Sequence, residues 1–390
     1  MKRITRKKIH TWVHIIILTI VATPIQLSAQ SNLFKQTFTD AEYFFLMQDY
    51  QEALPLYQKL FRMDSLNANV NFRLGQCYLN ISGIKSKAIL HLEKAIQNIN
   101  PKYNEGSYKE TQAPPLALFH LGEAYMVNHN LDKALKIFTE FKDRLDIKDV
   151  YNLDYVNQQI KACENAKQYI SKPINIQTER FNPFPERNKN CNYPVLSADR
   201  NTMVFTVKEK FYSAIYQCIK ENEQWSTPKN ITLELGVEGE VYSTALNNDG
   251  TVLLLFKNEI TSGNIYYSNY VNGIWQPAKK LNSGITSKDW ETFASFSADG
   301  KQLLFTSNKK GGQGGLDIYL ADRMDNGTWG NIRNLIEINT PYNEESPILS
   351  NDGKTLYFSS QGHNSMGGFD IFYSQLLPNN KWSTPINLGY

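Results

Sequence analysis

Two residue markers recur at one period through the second half of the sequence, and this repeat restricts the fold more than any other feature. Asp199, Asp249, Asp299 and Asp352 each lie in a Ser/Asn-x-Asp turn, separated by 50, 50 and 53 residues. Trp225, Trp275, Trp329 and Trp382 follow, separated by 50, 54 and 53. An apolar strand follows each Asp turn: Met203-Val204-Phe205, Leu253–Phe256, Leu303–Phe305 and Leu356–Phe358. A further strand carries Ile215-Tyr216, Ile265-Tyr266, Ile318-Tyr319 or Ile371-Phe372. The clearest copy, Glu345–Leu388, separates its strands with Asn351-Asp352-Gly353, Gly367-Gly368 and Pro378-Asn379-Asn380. Such residues supply positive φ or cap the turn with a side chain. Short strands at this period predict four-stranded blades arranged radially, a β-propeller over residues 194–390.

The blades fall at about 194–232, 242–282, 292–336 and 345–388. Each Trp turn, read as Trp-x-x-Pro, leads to a fourth strand at Asn230–Thr232, Lys280-Leu281, Asn334–Ile336 and Ile386–Leu388. Residues 171–193 read as a linker, with Ile174–Ile176 a candidate ring-closing strand. Because the last unit already has its own fourth strand, the bookkeeping expects four blades of an incomplete, six-bladed ring. The alternative is that Ile174–Ile176 is only linker and four blades close by themselves.

Upstream the period changes from 2 to 3.6. Tyr50, Ala53, Tyr57 and Leu60 form one helical stripe; Leu74-Gly75, Tyr78, Ala88, Leu92 and Ala95 form a second hairpin. Leu121-Gly122, Tyr125, Leu131, Ala134, Phe138 and Phe141 form a third, displaced by an insertion at Lys102–Ala113. Small residues let paired helices approach and aromatics fill the gaps between hairpins, a pattern that resembles the tetratricopeptide repeat. A closing helix at Asn152–Ile170 carries Leu153, Val156, Ile160 and Cys163 on one face. The fold class is therefore α + β multidomain: a tetratricopeptide-repeat helical domain over 30–170, followed by an all-β propeller. Such stacks leave a concave groove that holds a peptide or partner, here around Tyr78, Tyr125 and Asn128, or else serve as a docking shoulder.

Residues 1–29 read as a signal peptide, with basic Lys2, Arg3, Arg6, Lys7 and Lys8, an apolar run Ile15–Ala22 and a small-residue site at Leu27-Ser28-Ala29. The formal charge of +3 comes from this leader; with 36 basic and 38 acidic residues, the remainder carries −2. A basic surface for nucleic acid is thereby excluded, and no transmembrane span is expected once the leader is cleaved. An apolar content of 41% excludes a disordered chain. Cys77 and Cys163 read as buried thiols, while Cys191 and Cys218 share the first blade and in an exported protein could pair.

Ser297-Ala298-Asp299-Gly300-Lys301-Gln302-Leu303-Leu304-Phe305 and Gly314-Gly315-Leu316-Asp317-Ile318-Tyr319 resemble TolB-type, WD-repeat-like propeller motifs. With the upstream hairpins and leader, the arrangement resembles Bacteroidetes envelope proteins that include the PorE-like component of the type IX secretion system. In that family an OmpA-like domain holding peptidoglycan usually follows; the sequence here ends at Tyr390, so peptidoglycan association could come only through that missing domain. The resemblance implies an exported, periplasmic, outer-membrane-associated protein whose partners are envelope or outer-membrane proteins.

Nothing in the sequence reads as catalytic. His363, Ser365 and Asp370 can be drawn as a triad, but no Gly-x-Ser-x-Gly elbow accompanies them. Asp317 and Asp370 read as turn caps, and Lys309–Gly315 as a hairpin loop and not a phosphate cradle. No metal-ligand spacing is present and no cofactor is expected. The favoured function is a non-enzymatic scaffold or adaptor for protein–protein interactions in a bacterial envelope complex. The alternatives are a periplasmic propeller that binds or cleaves a glycan or peptide, and a sensor with a small ligand in the propeller channel.

Overall fold

The computed structural model describes residues 31–178, 183–184, 191–209 and 212–390. The leader and most of the 179–190 stretch of the linker lie outside these residues. The chain divides into two compact units, the first ending at Glu164 and the second beginning at Asn165.

The first unit is helical. α1 (31–46) is followed by α2 (Tyr50–Met63), α3 (Ala68–Asn80), a 3-10 turn (Lys85–Lys87), α4 (Ala88–Ala95), α5 (Leu116–Val127), α6 (Leu131–Lys142) and α7 (Val150–Ile170), whose residues from Asn165 on belong to the second unit. α2 begins where the Asp49 carboxylate accepts the Glu52 N–H, and α3 where the Asn67 side chain accepts the Val70 N–H at 3.0 Å. Successive helices pack on one another from α2 to α6. The approach is close enough to forbid a side chain: a Cβ on Gly75 would stand 2.4 Å from Leu92 Cγ, and one on Gly122 2.5 Å from Phe138 Cε1. The insertion folds onto the start of α3, where the Ala68 N–H donates to the Thr111 carbonyl and Tyr103 Oη donates to Asn69 Oδ1 at 2.6 Å.

Buried at the centre of this unit is an ion pair. Arg73 Nε donates to Glu42 Oε1 at 2.8 Å and Nη2 to Oε2 at 3.0 Å, a two-point clasp with both residues below a tenth exposed. The Tyr57 hydroxyl donates to the same Glu42 oxygen, and the guanidinium lies 4.5 Å from the Phe45 ring centroid.

The second unit is a four-blade propeller. Blade 1 holds β1 (Cys191–Leu196), β2 (Thr202–Lys208), β3 (Ser213–Glu221), β4 (Gln224–Trp225) and β5 (Lys229–Asn230). After a short helix α8 (Thr232–Leu235), blade 2 holds β6 (Glu240–Leu246), β7 (Val252–Asn258), β8 (Gly263–Val271), β9 (Ile274–Trp275) and β10 (Lys279–Lys280). Blade 3 holds β11 (Glu291–Phe296), β12 (Gln302–Ser307), β13 (Asp317–Arg323) and β14 (Trp329–Asn334). Blade 4 holds β15 (Glu344–Leu349), β16 (Thr355–Ser360), β17 (Asp370–Gln375) and β18 (Ile386–Asn387). All pairings within the blades are antiparallel.

The outer strands correct one sequence expectation. A proline three residues after Trp occurs only in the first and fourth units; the second has Pro277 two residues on, and the third has none. Where proline removes the N–H, the outer strand splits, as in β4/β5 and β9/β10, both pieces pairing with one neighbour. In blade 3 it runs unbroken as β14. Ile174–Ile176 adopts no strand; the Ile174 N–H donates to the Tyr390 carbonyl at 2.8 Å, and β18 is the outer strand of blade 4.

The period markers have distinct structural work. In three blades the Asp carboxylate accepts the serine hydroxyl two residues before it and the backbone N–H two residues after it, as at Ser297–Asp299–Lys301 with 2.6 and 3.0 Å. In blade 2 Asn247 replaces the serine and takes the N–H groups of Thr251 and Val252. Each later Trp packs against the preceding blade: Trp275 with Val204 and Ile215, Trp329 with Leu254 and Ile265, and Trp382 with Leu304 and Ile318. Cys191 lies opposite Val207 and Cys218 opposite Met203, at different levels of β2, and the four cysteines are not joined.

Candidate functional site

The residues expected to line a helical groove are engaged within their own unit. Tyr78 is 6% exposed, stacks on His91 with centroids 5.4 Å apart, and its hydroxyl accepts the Gln58 amide at 2.9 Å. Tyr125, also 6% exposed, donates its hydroxyl to Glu93 and carries Lys133 over its ring at 5.1 Å. Asn128 caps α5 by donating its side chain to the Ala124 carbonyl at 2.7 Å. The two tyrosines hold equivalent places in successive hairpins, three residues after Gly75 and Gly122.

The apparent triad is taken apart by its own hydrogen bonds. His363 Nε2–H donates to the Ile338 carbonyl at 2.8 Å, and Ser365 Oγ donates to the Gln361 carbonyl at 3.0 Å. Asp370 accepts the Met366 N–H and the Asn387 amide, and burial pushes its carboxyl above the ordinary value. Asp317 does the same work in blade 3, accepting the N–H groups of Gln313 and Gly314 and the Asn334 amide. Glu291 and Glu344, at the starts of β11 and β15, are fully buried acids satisfied by matching donors. Glu291 takes the Ser287 N–H and hydroxyl with the Ser307 hydroxyl; Glu344 takes those of Thr340 with the Ser360 hydroxyl. Among the described residues no group of three His, Cys, Asp or Glu is placed to hold a metal ion, and no helix is long and apolar enough to cross a membrane.

A second constellation lies on the innermost strands, and the sequence did not single it out. The Tyr193 ring of β1 meets Tyr242 of β6 at 5.0 Å between centroids and Phe293 of β11 at 5.7 Å. β15 contributes Glu345, and its charge adds to burial in raising the Tyr193 phenol above its ordinary value. Burial likewise pushes the Glu345 carboxyl up. Tyr193 has φ +52° and Ser346 φ +53°, left-handed backbone at non-glycine residues that precede Pro194 and Pro347. The register of β1 and of β15 shifts at these points, a bulge that re-aims the neighbouring side chains. Ser243 pins β6 to blade 1, its N–H donating to Thr206 Oγ1 of β2 at 2.9 Å and its hydroxyl to the Tyr193 carbonyl of β1 at 2.7 Å. Ser295 pins β11 to β15 through the Pro347 carbonyl.

Solved structures with a similar chain path include TolB propellers. TolB from Acinetobacter baumannii is 18% identical with a TM-score of 0.37, over 52% of this chain and 45% of that one. A putative TolB from Agrobacterium tumefaciens is 19% identical with a TM-score of 0.38, over 51% of this chain and 67% of that one. A puromycin-hydrolyzing peptidase from Mycobacterium tuberculosis is 14% identical with a TM-score of 0.33, over 51% and 29%. The chain thus spans under half the length of the first of these. No family model and no curated protein matches the sequence.

Proposed function

We propose that the protein is a non-enzymatic scaffold of the bacterial envelope, exported by its leader and joining protein partners through its helical unit and propeller. The observation that carries this reading is the exposed apolar surface of the helical unit. Leu46 is 73% exposed, Met47 65%, Leu66 89% and Leu90 59%. Large apolar side chains held in water on helices and the turns between them favour association, since covering them releases ordered solvent. The steric fit of Gly75 against Leu92 and of Gly122 against Phe138 supports a tetratricopeptide-type stack, a fold that works by presenting such surfaces. The leader's basic and apolar segments support export, and the motif resemblance supports an outer-membrane-associated complex of the type IX secretion kind.

The test is affinity capture from envelope extracts with the chain lacking residues 1–29, beside a Leu66→Asp/Leu90→Asp variant of unchanged helicity. An envelope protein retained by the first and lost by the second supports the scaffold. Retention of the same set by both, or of none alongside saturable glycan binding, overturns it.

A further inference from the structure

We propose that Tyr193, Tyr242, Phe293 and Glu345, gathered by the inner strands of the four blades, form a receptor for an organic cation, an alkylammonium or guanidinium group. Tyr193 touches both Tyr242 and Phe293, so three rings offer negative π faces, and the Glu345 carboxylate that acts on Tyr193 supplies the counter-charge, the composition that recognises ammonium ligands.

Two contrasts argue that this arrangement is more than packing. The first is between neighbours on β15. Glu344 is fully buried and takes three donors, whereas Glu345, partly exposed, accepts no hydrogen bond and meets no Lys or Arg among the described residues. A carboxylate that loses part of its hydration without gaining a partner bears some of that cost, and an arriving cation offsets it. The second contrast is between aromatic clusters. At three other sites a ring carries a cation of the chain's own: Lys309 over Tyr319 at 4.0 Å, Arg73 over Phe45 at 4.5 Å and Lys133 over Tyr125 at 5.1 Å. Among the described residues none stands over Tyr193, Tyr242 or Phe293. Tyr193 remains 41% exposed, so a ligand has access. Left-handed backbone at Tyr193 and Ser346 adds a further sign, because strain of this kind collects where a side chain must be presented and not merely packed. The proposal is independent of the scaffold reading, which rests on the helical unit.

Calorimetric titration of the whole chain with tetramethylammonium, N-acetyl-lysine methylamide and N-acetyl-arginine methylamide, against neutral N-acetyl-norleucine methylamide, tests it. Saturable binding of at least one cation, with the neutral isostere at least tenfold weaker, is expected. Which cation binds best separates a protein side chain from a free quaternary amine. Glu345→Gln is expected to weaken that binding tenfold or more. Tyr193→Leu is expected to weaken it similarly, while Tyr193→Phe, which keeps the π face, retains it. Tryptophan fluorescence confirms that each variant keeps its propeller. Absence of binding by every cation, equal binding of the norleucine compound, or unchanged affinity in a folded Glu345→Gln variant overturns the proposal.

Discussion

Replacing Glu42 by glutamine tests the account of the helical core at its most exacting point. The change keeps the side chain's shape and removes only its charge, leaving the Arg73 guanidinium buried against Phe45 and Phe72 with Tyr57 as a neighbour. Removing one member of a buried ion pair costs about 3–5 kcal/mol, because the remaining charge is left desolvated. Glu105 lies 3.4 Å from Arg73 but its side chain is 77% exposed, so solvent screens most of what it offers. The expected loss is therefore near the lower end, about 3 kcal/mol. With a urea slope of about 1.5–2 kcal/mol per molar for a unit of this size, the midpoint falls by about 1.5–2 M.

The sequence supplies the assay. Beyond the leader, tryptophans occur only at 225, 275, 290, 329 and 382, all in the propeller. Ellipticity at 222 nm follows the helices, while tryptophan fluorescence follows the blades. The Glu42→Gln variant is expected to lose its 222 nm transition early and keep its fluorescence transition in place. Arg73→Met is expected to cost a similar amount, and the double variant less than the sum of the two. A midpoint for Glu42→Gln within about 0.5 M of the parent, roughly 1 kcal/mol, would refute the claim that the pair is buried and unscreened.

Three further outcomes follow from single positions. Gly122→Ala drives a methyl group into the Phe138 ring, so overpacking of about 1–3 kcal/mol outweighs the gain in helix propensity of about 1 kcal/mol, visible at 222 nm. Arg200 has φ +59° where the equivalent turns carry Gly250, Gly300 and Gly353. Arg200→Gly relieves a left-handed penalty of about 1–2 kcal/mol against a glycine entropy cost of about 0.5–1, so urea denaturation followed by fluorescence shifts upward by up to about 1.5 kcal/mol. His91 is held down to about 4 by burial and then by Lys94. Its folded value lies below the unfolded one, so the unfolded chain binds the extra proton. Helical stability is then complete above about pH 6.5 and falls by about 3 kcal/mol as pH drops to about 4. His91→Gln is expected to flatten that dependence at 222 nm.

The propeller was legible because its markers do structural work in every blade. The Asp turns cap themselves locally, and each Trp after the first fills the seam with the blade before it, so both recur at the blade period. The helical hairpins were legible for a similar reason: Gly75 and Gly122 stand where no side chain fits. The same logic applies to Tyr78 and Tyr125. A residue that recurs at the repeat period is one the repeat itself needs, and both tyrosines are spent on packing and on internal hydrogen bonds. Periodicity finds scaffold, and it is blind to whatever a single blade does differently.

The inner-strand constellation shows how that blindness arises. Counted back from the Asp markers, Tyr193 and Phe293 are six residues before Asp199 and Asp299, but Tyr242 and Glu345 are seven before Asp249 and Asp352. On a regular strand that one-residue offset would send the two pairs to opposite faces. What reconciles them is irregular backbone: bulges in β1, β6, β11 and β15, and left-handed residues at Tyr193 and Ser346. Neither Tyr193 nor Ser346 is a residue type that favours such a conformation, so no turn signal announces it. Pro194 and Pro347 were the one available sign, since a proline inside an apparent strand marks a place where regular pairing stops. Read that way, the prolines locate the point at which two blades depart from the repeat, and that departure is what sets aromatic rings beside an uncompensated acid.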